Sequence, residues 1–372
     1  MDLRSLVPPW VRTLTPYPPG MPIEELEREL GIHGSIKLAS NENPLGPSPR
    51  AVAAITAALG DLHRYPDGSA FYLKRRLAEH LGVTADEIVV GNGSNEIIEL
   101  VVRTFIRAGD EAIMSDQAFV IYRLVVQAAG GLPRPVPLRN FTHDLEAIAE
   151  AITPRTRLVF LANPNNPTGT IYRRDEWQTF VRSVPRHLVV VADDAYAEYV
   201  EDPDYPDTLR DRGDGSLPIV TLHTFSKLYG LAGLRIGYGV APREVVEAIA
   251  RIRQPFNVNG LALVGALAAL GDDEHVQRTL AVNRAGMAYL VEAFTAMGLA
   301  YVPSAANFIL VHVGPGRQVY EALLRRGVIV RPMDVYGFPE HLRVTIGLPE
   351  ENRRFVDNLA AVLGEARRGG TR

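Results

Sequence analysis

Midway along the chain the sequence reads His187-Leu188-Val189-Val190-Val191-Ala192-Asp193-Asp194-Ala195-Tyr196. The apolar residues follow one another without a break, whereas a strand with one solvated face would alternate apolar and polar residues. An uninterrupted run is typical of a strand that is buried on both faces, and such strands form mostly parallel sheets wrapped by helices. We therefore predict an α/β fold in which this strand leads into a polar turn at 193–196.

The same pattern recurs along the first two thirds of the chain. Further short apolar runs, separated by helical patterns, lie at 87–90, 112–114, 157–161 and 219–222. Polar turns rich in Gly, Pro or Asn follow at 91–94 and 163–167. Ligands of such sheets bind beyond the carboxyl ends of the strands, which is where these turns fall. The turns are therefore the predicted location of a functional site.

The length of 372 residues favours two domains, because single cores rarely grow beyond roughly 250 to 300 residues. After about residue 256 the pattern changes to helices over 261–297 and then to short strands near 308–311, 328–330 and 342–346. The predicted division is a proline-rich N-terminal arm at 1–45, a large α/β domain at 46–255 and a smaller α+β domain at 256–372.

Charge and hydropathy argue against nucleic acid and membranes as partners. The net charge is −4, without the basic excess that either surface would attract. The longest apolar stretch, 261–270, is about half of what a bilayer span requires. At the N-terminus, Asp2 and the pair Pro8-Pro9 interrupt the apolar core that a secretory signal would need.

The chain contains no cysteine, which excludes disulfides, thiolate chemistry and cysteine-ligated metals. A cytoplasmic location is the simplest expectation for such a chain. Lysine is also scarce, since of 39 basic residues only Lys37, Lys74 and Lys227 are lysines. Arginine stays protonated and cannot replace a nucleophilic amine, so each lysine is a candidate for a position that needs an amine.

Lys227 lies in the most suggestive surroundings. It closes the segment Thr224-Phe225-Ser226-Lys227 after a predicted strand, and Arg235 follows eight residues later in a glycine-rich turn. Two hydroxyls, an amine and an arginine around such a turn can form a phosphate cradle beside a lysine able to form a Schiff base. The alternative is a surface loop with one solvated lysine.

A second anion site is predicted where the run at 87–90 meets a helical pattern. The connecting residues are Gly91-Asn92-Gly93-Ser94-Asn95-Glu96, so backbone N–H groups and the Ser94 hydroxyl can face an anion at a helix N-terminus. The alternative is an ordinary helix cap by Ser94 or Asn95 with nothing bound. The segment matches neither a P-loop nor the dinucleotide-binding glycine pattern, which disfavours a nicotinamide dehydrogenase.

Asp193 and Tyr196 place a carboxylate and a phenol in one turn. A carboxylate beside a pyridine nitrogen keeps that nitrogen protonated, whereas a metal site would need further ligands that the sequence does not provide at suitable spacing. Asn166 in the turn at 163–169 can donate to a ring oxygen. Near the C-terminus, Arg331 and Arg343 are suited to binding carboxylate or phosphate.

With these residues assembled, the chain resembles the fold type I aminotransferases that depend on pyridoxal 5'-phosphate (PLP), and within them the histidinol-phosphate aminotransferase family. The resemblance runs nearly end to end. It is carried by the segments 14–17, 38–44, 64–67, 163–169, 224–237 and 343–347.

The resemblance implies a role for each residue. Lys227 would carry PLP as a Schiff base, Asp193 would pair with the pyridine nitrogen, and Phe119 would stack on the ring. The cofactor phosphate would be bound by Ser94, Asn95, Thr224, Ser226, Arg235 and, across a homodimer interface, the partner subunit's Tyr65. Asn166 and Tyr196 would contact the ring hydroxyl oxygen. Substrate would be held by Tyr17, Asn41, Arg331 and Arg343.

The implied reaction is a ping-pong transamination between L-histidinol phosphate and 2-oxoglutarate. The chain departs from the family pattern at Phe119, where a tyrosine is common, and at Asn95, where an aspartate is frequent. These departures leave cofactor binding intact but bear on the choice of substrate. An aromatic amino-acid aminotransferase is therefore the main alternative, followed by a related decarboxylase of phosphorylated threonine and by a non-catalytic regulatory or structural protein.

Overall fold

The computed structural model describes residues 3–17, 20–211 and 215–369. Asp2, Pro18 and Pro19 of the predicted arm lie outside the described residues, as do 212–214 and the last three residues.

The secondary structure alternates helices and strands, and it includes a strand at each of the apolar runs predicted in the first two thirds of the chain. The α-helices are α1 Pro9–Arg12, α2 Ile23–Leu30, α3 Pro49–Ala58, α4 Phe71–Leu81, α5 Ser94–Phe105, α6 Ile121–Ala128, α7 Leu145–Glu150, α8 Arg174–Ser183, α9 Arg243–Ala250, α10 Gly260–Ala269, α11 Asp273–Ala296, α12 Gly316–Leu324 and α13 Pro349–Gly369. The strands are β1 Ile36–Lys37, β2 Ile88–Gly91, β3 Glu111–Ser115, β4 Leu132–Val136, β5 Thr156–Ala162, β6 Val189–Asp193, β7 Ile219–Thr224, β8 Gly237–Val240, β9 Tyr301–Val302, β10 Phe308–His312, β11 Val328–Ile329, β12 Arg331–Pro332 and β13 His341–Thr345. Short 3-10 helices lie at Leu3–Leu6, Leu59–Asp61, Ala85–Glu87, Ala197–Tyr199, Ala232–Leu234 and Asp334–Tyr336.

The large sheet has seven strands in the order β2-β8-β7-β6-β5-β3-β4. Only β8 runs antiparallel to its neighbours, which confirms the mostly parallel α/β fold. The sequence pattern did not reveal β8, because two of its four residues are glycines, nor β4, because it contains Pro133 and Pro135. Proline is tolerated in β4 because this strand lies at the edge of the sheet and pairs on one side only.

Strand β6 is buried on both faces, as its apolar run predicts. Val189 and Val191 pack in the apolar cluster that contains residues of α5 and α6, whereas Val190 and Ala192 pack in the cluster that contains residues of α8. The strand begins at Val189 rather than at His187 and includes Asp193 as its last residue. The carboxylate therefore lies on the sheet itself and not in the turn beyond it.

The C-terminal part contains a four-stranded antiparallel sheet in the order β12-β13-β10-β9. The helices predicted over 261–297 are confirmed as α10 and α11, but the strand predicted at 328–330 is two short strands, β11 and β12. The arm is joined to this region because β1 pairs in parallel with β11. The division of the chain at residues 45 and 255 stays a prediction. Over the described residues, no helix is both long enough and apolar enough to span a bilayer.

Candidate active site

A cavity lies where the carboxyl ends of β5, β6 and β7 face the arm and the four-stranded sheet. Fourteen of the fifteen predicted site residues line it: Tyr17, Asn41, Ser94, Asn95, Phe119, Asn166, Asp193, Tyr196, Thr224, Ser226, Lys227, Arg235, Arg331 and Arg343. The exception is Tyr65, which is 84% exposed and stacks on Phe256 with ring centroids 4.8 Å apart. The fold thus brings together residues that are up to 326 positions apart, from Tyr17 to Arg343.

Lys227 follows β7 and is partly buried. Its Nζ donates a hydrogen bond to the Ser40 carbonyl at 3.0 Å and lies 5.7 Å from the centroid of the Tyr196 ring. Burial, reinforced by the positive charge of Arg343, lowers the pKa of Lys227 to about 7. Near neutral pH, Lys227 is therefore a neutral, nucleophilic amine in a substantial fraction of the molecules.

Asp193 is buried, and its two carboxylate oxygens have different surroundings. Oδ2 accepts a hydrogen bond from the Tyr122 hydroxyl at 2.5 Å, whereas Oδ1 is buried and has no hydrogen-bond partner among the described residues. Burial raises the pKa of Asp193, and the hydrogen bond from Tyr122 opposes that rise. The arrangement leaves one oxygen available for a cationic group in the cavity.

Tyr196 lies three residues beyond β6 and is held from the arm. Asn41 donates from Nδ2 to the Tyr196 hydroxyl oxygen at 2.9 Å, and the Asn41 backbone N–H donates to Thr345 Oγ1 at 2.9 Å. Burial raises the pKa of Tyr196 to about 12, against the opposing charge of Arg343. Tyr196 is therefore a neutral phenol that can donate to a ring oxygen.

Arg343 and Arg331 lie opposite each other on β13 and β12. Arg343 is buried and donates to Asn166 Oδ1 at 2.5 Å and to the Ala39 carbonyl at 2.7 Å, while its Nε has no partner in the part of the chain that the structure describes. Arg331 is also buried and lies 5.3 Å from the ring centroid of Tyr17, which is 40% exposed. Two guanidinium groups at one end of the cavity are suited to an anionic substrate.

At the opposite end of the cavity, Arg235 and Ser226 lie beside the start of α5. Helix α5 begins at Ser94 with Gly93 as its N-cap and without a side-chain cap, so the alternative of capping by Ser94 or Asn95 is wrong. Arg235 Nη1 donates to Ser226 Oγ at 3.4 Å, and a Cβ on Gly93 would lie 2.6 Å from Arg235 Nη2. The guanidinium, a hydroxyl and the free N–H groups of a helix N-terminus therefore meet at one place, which suits a dianion.

Two tyrosines of the cavity were missed from the sequence. Tyr122 lies three residues beyond Phe119, with ring centroids 5.6 Å apart in an edge-to-face arrangement, and Tyr336 lies in a 3-10 helix next to the two arginines. Phe119 precedes α6 and Tyr122 lies in its first turn, so no helical periodicity of the sequence links the two rings. Within the described ranges, no group of three or more ligating side chains is placed to hold a metal ion.

Comparison with known families agrees with this geometry. The model of the family described as aminotransferase class I and II matches residues 34–359. The chain belongs to the class I and II aminotransferases.

This aminotransferase is similar to proteins named histidinol-phosphate aminotransferase. It is 53% identical to histidinol-phosphate aminotransferase 1 of Nitrosococcus oceani over 96% of each chain. It is 50% identical to histidinol-phosphate aminotransferase 2 of Pseudomonas fluorescens, over 98% of this chain and 99% of the relative.

Solved structures show the same fold over nearly the whole chain. Histidinol-phosphate aminotransferase from Sinorhizobium meliloti, in complex with PLP, has a TM-score of 0.88 at 28% identity and covers 97% of this chain and 98% of its own. Aspartate aminotransferase from Thermus thermophilus with maleate has a TM-score of 0.83 at 25% identity and covers 96% and 99%. The resemblance noted from the sequence motifs is thereby confirmed at the level of family and fold.

Proposed function

We propose that this chain catalyses the PLP-dependent transamination of L-histidinol phosphate with 2-oxoglutarate, giving imidazole acetol phosphate and L-glutamate. The proposal rests on the meeting of Lys227, Asp193 and Arg343 in one cavity. It is supported by relatives of that name, which are about half identical over nearly the whole chain. These relatives favour this reaction over the aromatic amino-acid alternative.

The residues present fit PLP at both ends of the cofactor. The absence of a Cβ at Gly93 leaves room for the Arg235 guanidinium beside the start of α5, which suits the phosphate group. Oδ1 of Asp193, which has no hydrogen-bond partner among the described residues, suits a protonated ring nitrogen. Phe119 offers an aromatic face, and Tyr196 with Asn166 would bind the ring hydroxyl oxygen.

When bound, PLP supplies a conjugated ring that withdraws electrons from the Cα of the amino donor. Lys227 would hold the cofactor between turnovers, and its Nζ would then act as the general base that accepts the Cα proton and releases it again. A pKa of about 7 is suited to both halves of this task, since the amine can accept and release a proton near neutral pH. Asp193 would keep the ring nitrogen in its protonated form.

The substrate end must accept two different anions in turn. Arg343 is suited to a carboxylate or phosphate, because its Nε has no partner among the described residues and its planar fork presents parallel donors. Arg331, stacked on Tyr17, would add the second charge that a phosphate monoester needs. Asn41 would act from the arm by orienting Tyr196.

We also propose a homodimer with shared active sites. Tyr65 does not line the cavity of its own subunit. Its ring stacks on Phe256 and is otherwise largely exposed to solvent. A homodimer would let the partner subunit's Tyr65 reach the cofactor phosphate. A cytoplasmic location stays a prediction.

Steady-state kinetics test the reaction directly. We expect the PLP-loaded protein to form L-glutamate from 2-oxoglutarate only when an amino donor is present. Double-reciprocal plots should give parallel lines, and kcat/KM should be much higher for L-histidinol phosphate than for L-phenylalanine. Intersecting lines would contradict the ping-pong order, and a preference for L-phenylalanine would contradict the proposed donor.

A further inference from the structure

Asp193 is held by a tyrosine through one of its two carboxylate oxygens. The carboxylate is 6% exposed, its Oδ2 accepts from the Tyr122 hydroxyl at 2.5 Å, and its Oδ1 finds no hydrogen-bond partner in the described part of the chain. The hydrogen bond from Tyr122 restrains the rotation of the carboxylate and leaves Oδ1 without a partner among the described residues. The unpartnered oxygen is then ready for a ligand that enters the cavity.

Tyr122 is itself immobilised by packing. Its side chain is fully buried, stacked on Phe160 with centroids 4.8 Å apart and planes 11° apart, and edge-on to Phe119. Phe160 lies on β5, next to the strand that ends in Asp193. The packing of the Tyr122 ring against Phe160 of the neighbouring strand therefore fixes the position of the hydroxyl that donates to Asp193.

The electrostatics of the pair keep the phenol neutral, and its hydrogen bond lowers the pKa of the carboxylate against the effect of burial. Burial, together with the charge of Asp193, raises the pKa of Tyr122 well above its ordinary value. The phenol therefore stays protonated and donates a hydrogen bond to Asp193. Burial also raises the pKa of Asp193, and the hydrogen bond from Tyr122 is the largest opposing cause. Loss of that donor would leave a buried carboxylate with less stabilisation of its charge.

We infer that Tyr122 is a positioning residue for the reaction: its hydroxyl holds Oδ2 of Asp193 so that Oδ1 can pair with the cofactor's ring nitrogen. The inference rests on the proposed function, because it takes Asp193 as the partner of that nitrogen. It adds to the mechanism a residue outside the motifs that carry the family resemblance.

Tyr122→Phe tests the inference, because it removes the hydroxyl and keeps the packed ring. Tyr172→Phe is the matched control, since Tyr172 is also fully buried and its hydroxyl has no partner among the described residues. The measurement is the dissociation constant of PLP from the cofactor-free protein, followed by fluorescence. We expect Tyr122→Phe to weaken PLP binding about tenfold, in keeping with the loss of a hydrogen bond to a charged group, and Tyr172→Phe to change it less than about twofold.

The same measurement in an Asp193→Ala background separates positioning from packing. Tyr122→Phe should have less than about a twofold effect there, because its target is gone. An equal effect in both backgrounds would overturn the role of Tyr122 and leave the proposed function standing. Unchanged PLP affinity in Asp193→Ala alone would overturn the pairing of Asp193 with the ring nitrogen and, with it, the role of Tyr122.

A second readout uses the cofactor-saturated enzyme. Tyr122→Phe should lower kcat about tenfold and leave KM for the amino donor within about twofold, because Asp193 acts on the ring and not on the substrate. A rise in KM with unchanged kcat would overturn the inference. This readout also serves if the cofactor-free variant proves unstable.

Discussion

At one end of the cavity, Asp193 and Thr224 are the last residues of neighbouring strands in a single sheet. At the other end, Arg331 and Arg343 come from a second sheet and Tyr17 comes from the arm. The cofactor end is therefore fixed by one rigid element, whereas the substrate end is assembled from parts that are remote in sequence. We expect changes at the cofactor end to affect every substrate and changes at the substrate end to discriminate between substrates.

The largest effect is expected at Lys227. Lys227→Arg keeps a positive charge and removes the nucleophilic amine, so transamination should fall by at least about a thousandfold with every donor. Lys74→Arg is the matched control, because Lys74 is partly buried but lies outside the cavity, and it should stay within about twofold. Measurement of kcat with two donors checks both; comparable activity in the two variants would remove Lys227 from the mechanism.

The next effect should be selective. Arg331→Gln removes one of the two guanidinium groups of the substrate end, so kcat/KM for L-histidinol phosphate should fall roughly ten- to hundredfold while that for L-phenylalanine stays nearly constant. Arg317→Gln removes a nearby arginine that pairs with Asp334 and does not line the cavity, and it should leave both values unchanged. Equal losses for both donors would show that the substrate end does not discriminate.

A smaller effect is expected at the phosphate cradle. Gly93 has φ of 78°, and an added Cβ would lie 2.6 Å from Arg235 Nη2, so Gly93→Ala should weaken PLP binding about tenfold. Gly82→Ala is the control, because Gly82 has φ of 69° but no atom within 4 Å of the added Cβ. It should lower stability slightly without changing PLP affinity, as a melting curve and a cofactor titration would show. The cradle assignment fails if the two variants bind PLP equally well.

The smallest effect links the two ends of the cavity. Because the pKa of Lys227 is lowered to about 7, the rate of covalent PLP capture should rise with pH through about 7 and then level off, as the neutral amine becomes the dominant form. The charge of Arg343 contributes to this lowering, so Arg343→Gln should move the midpoint to higher pH. Stopped-flow absorbance checks both midpoints, and a rate that keeps climbing to pH 10 in the unsubstituted protein would contradict the lowered pKa of Lys227.

The sequence was most informative where the chemistry is local. The unbroken apolar run before Asp193 predicted a doubly buried strand, and the spacing of Thr224, Ser226 and Lys227 predicted a cradle at its neighbour's end. In both cases the residues that act together lie on one short segment. Strand period and turn composition then suffice to place them.

The sequence was least informative where side chains meet only through the fold. The hydrogen bond between Tyr122 and Asp193 joins residues 71 positions apart, and that from Asn41 to Tyr196 joins residues 155 apart. No local pattern encodes such a pair. Strand β8 was missed for a different reason. A Cβ at Gly237 would lie 2.5 Å from the Ser94 nitrogen, so the position requires glycine, and glycine is not typical of a strand in sequence.

The most direct test of the proposed function is a single-turnover titration of the PLP-loaded protein in the absence of any oxo acid. L-Histidinol phosphate is added to one sample and L-phenylalanine to another. The loss of the absorbance of the lysine-bound cofactor and the gain of that of pyridoxamine phosphate are recorded. We predict complete conversion at low L-histidinol phosphate and slow conversion by L-phenylalanine. Conversion by L-phenylalanine alone, or no absorbance from bound cofactor at the start, would contradict the account.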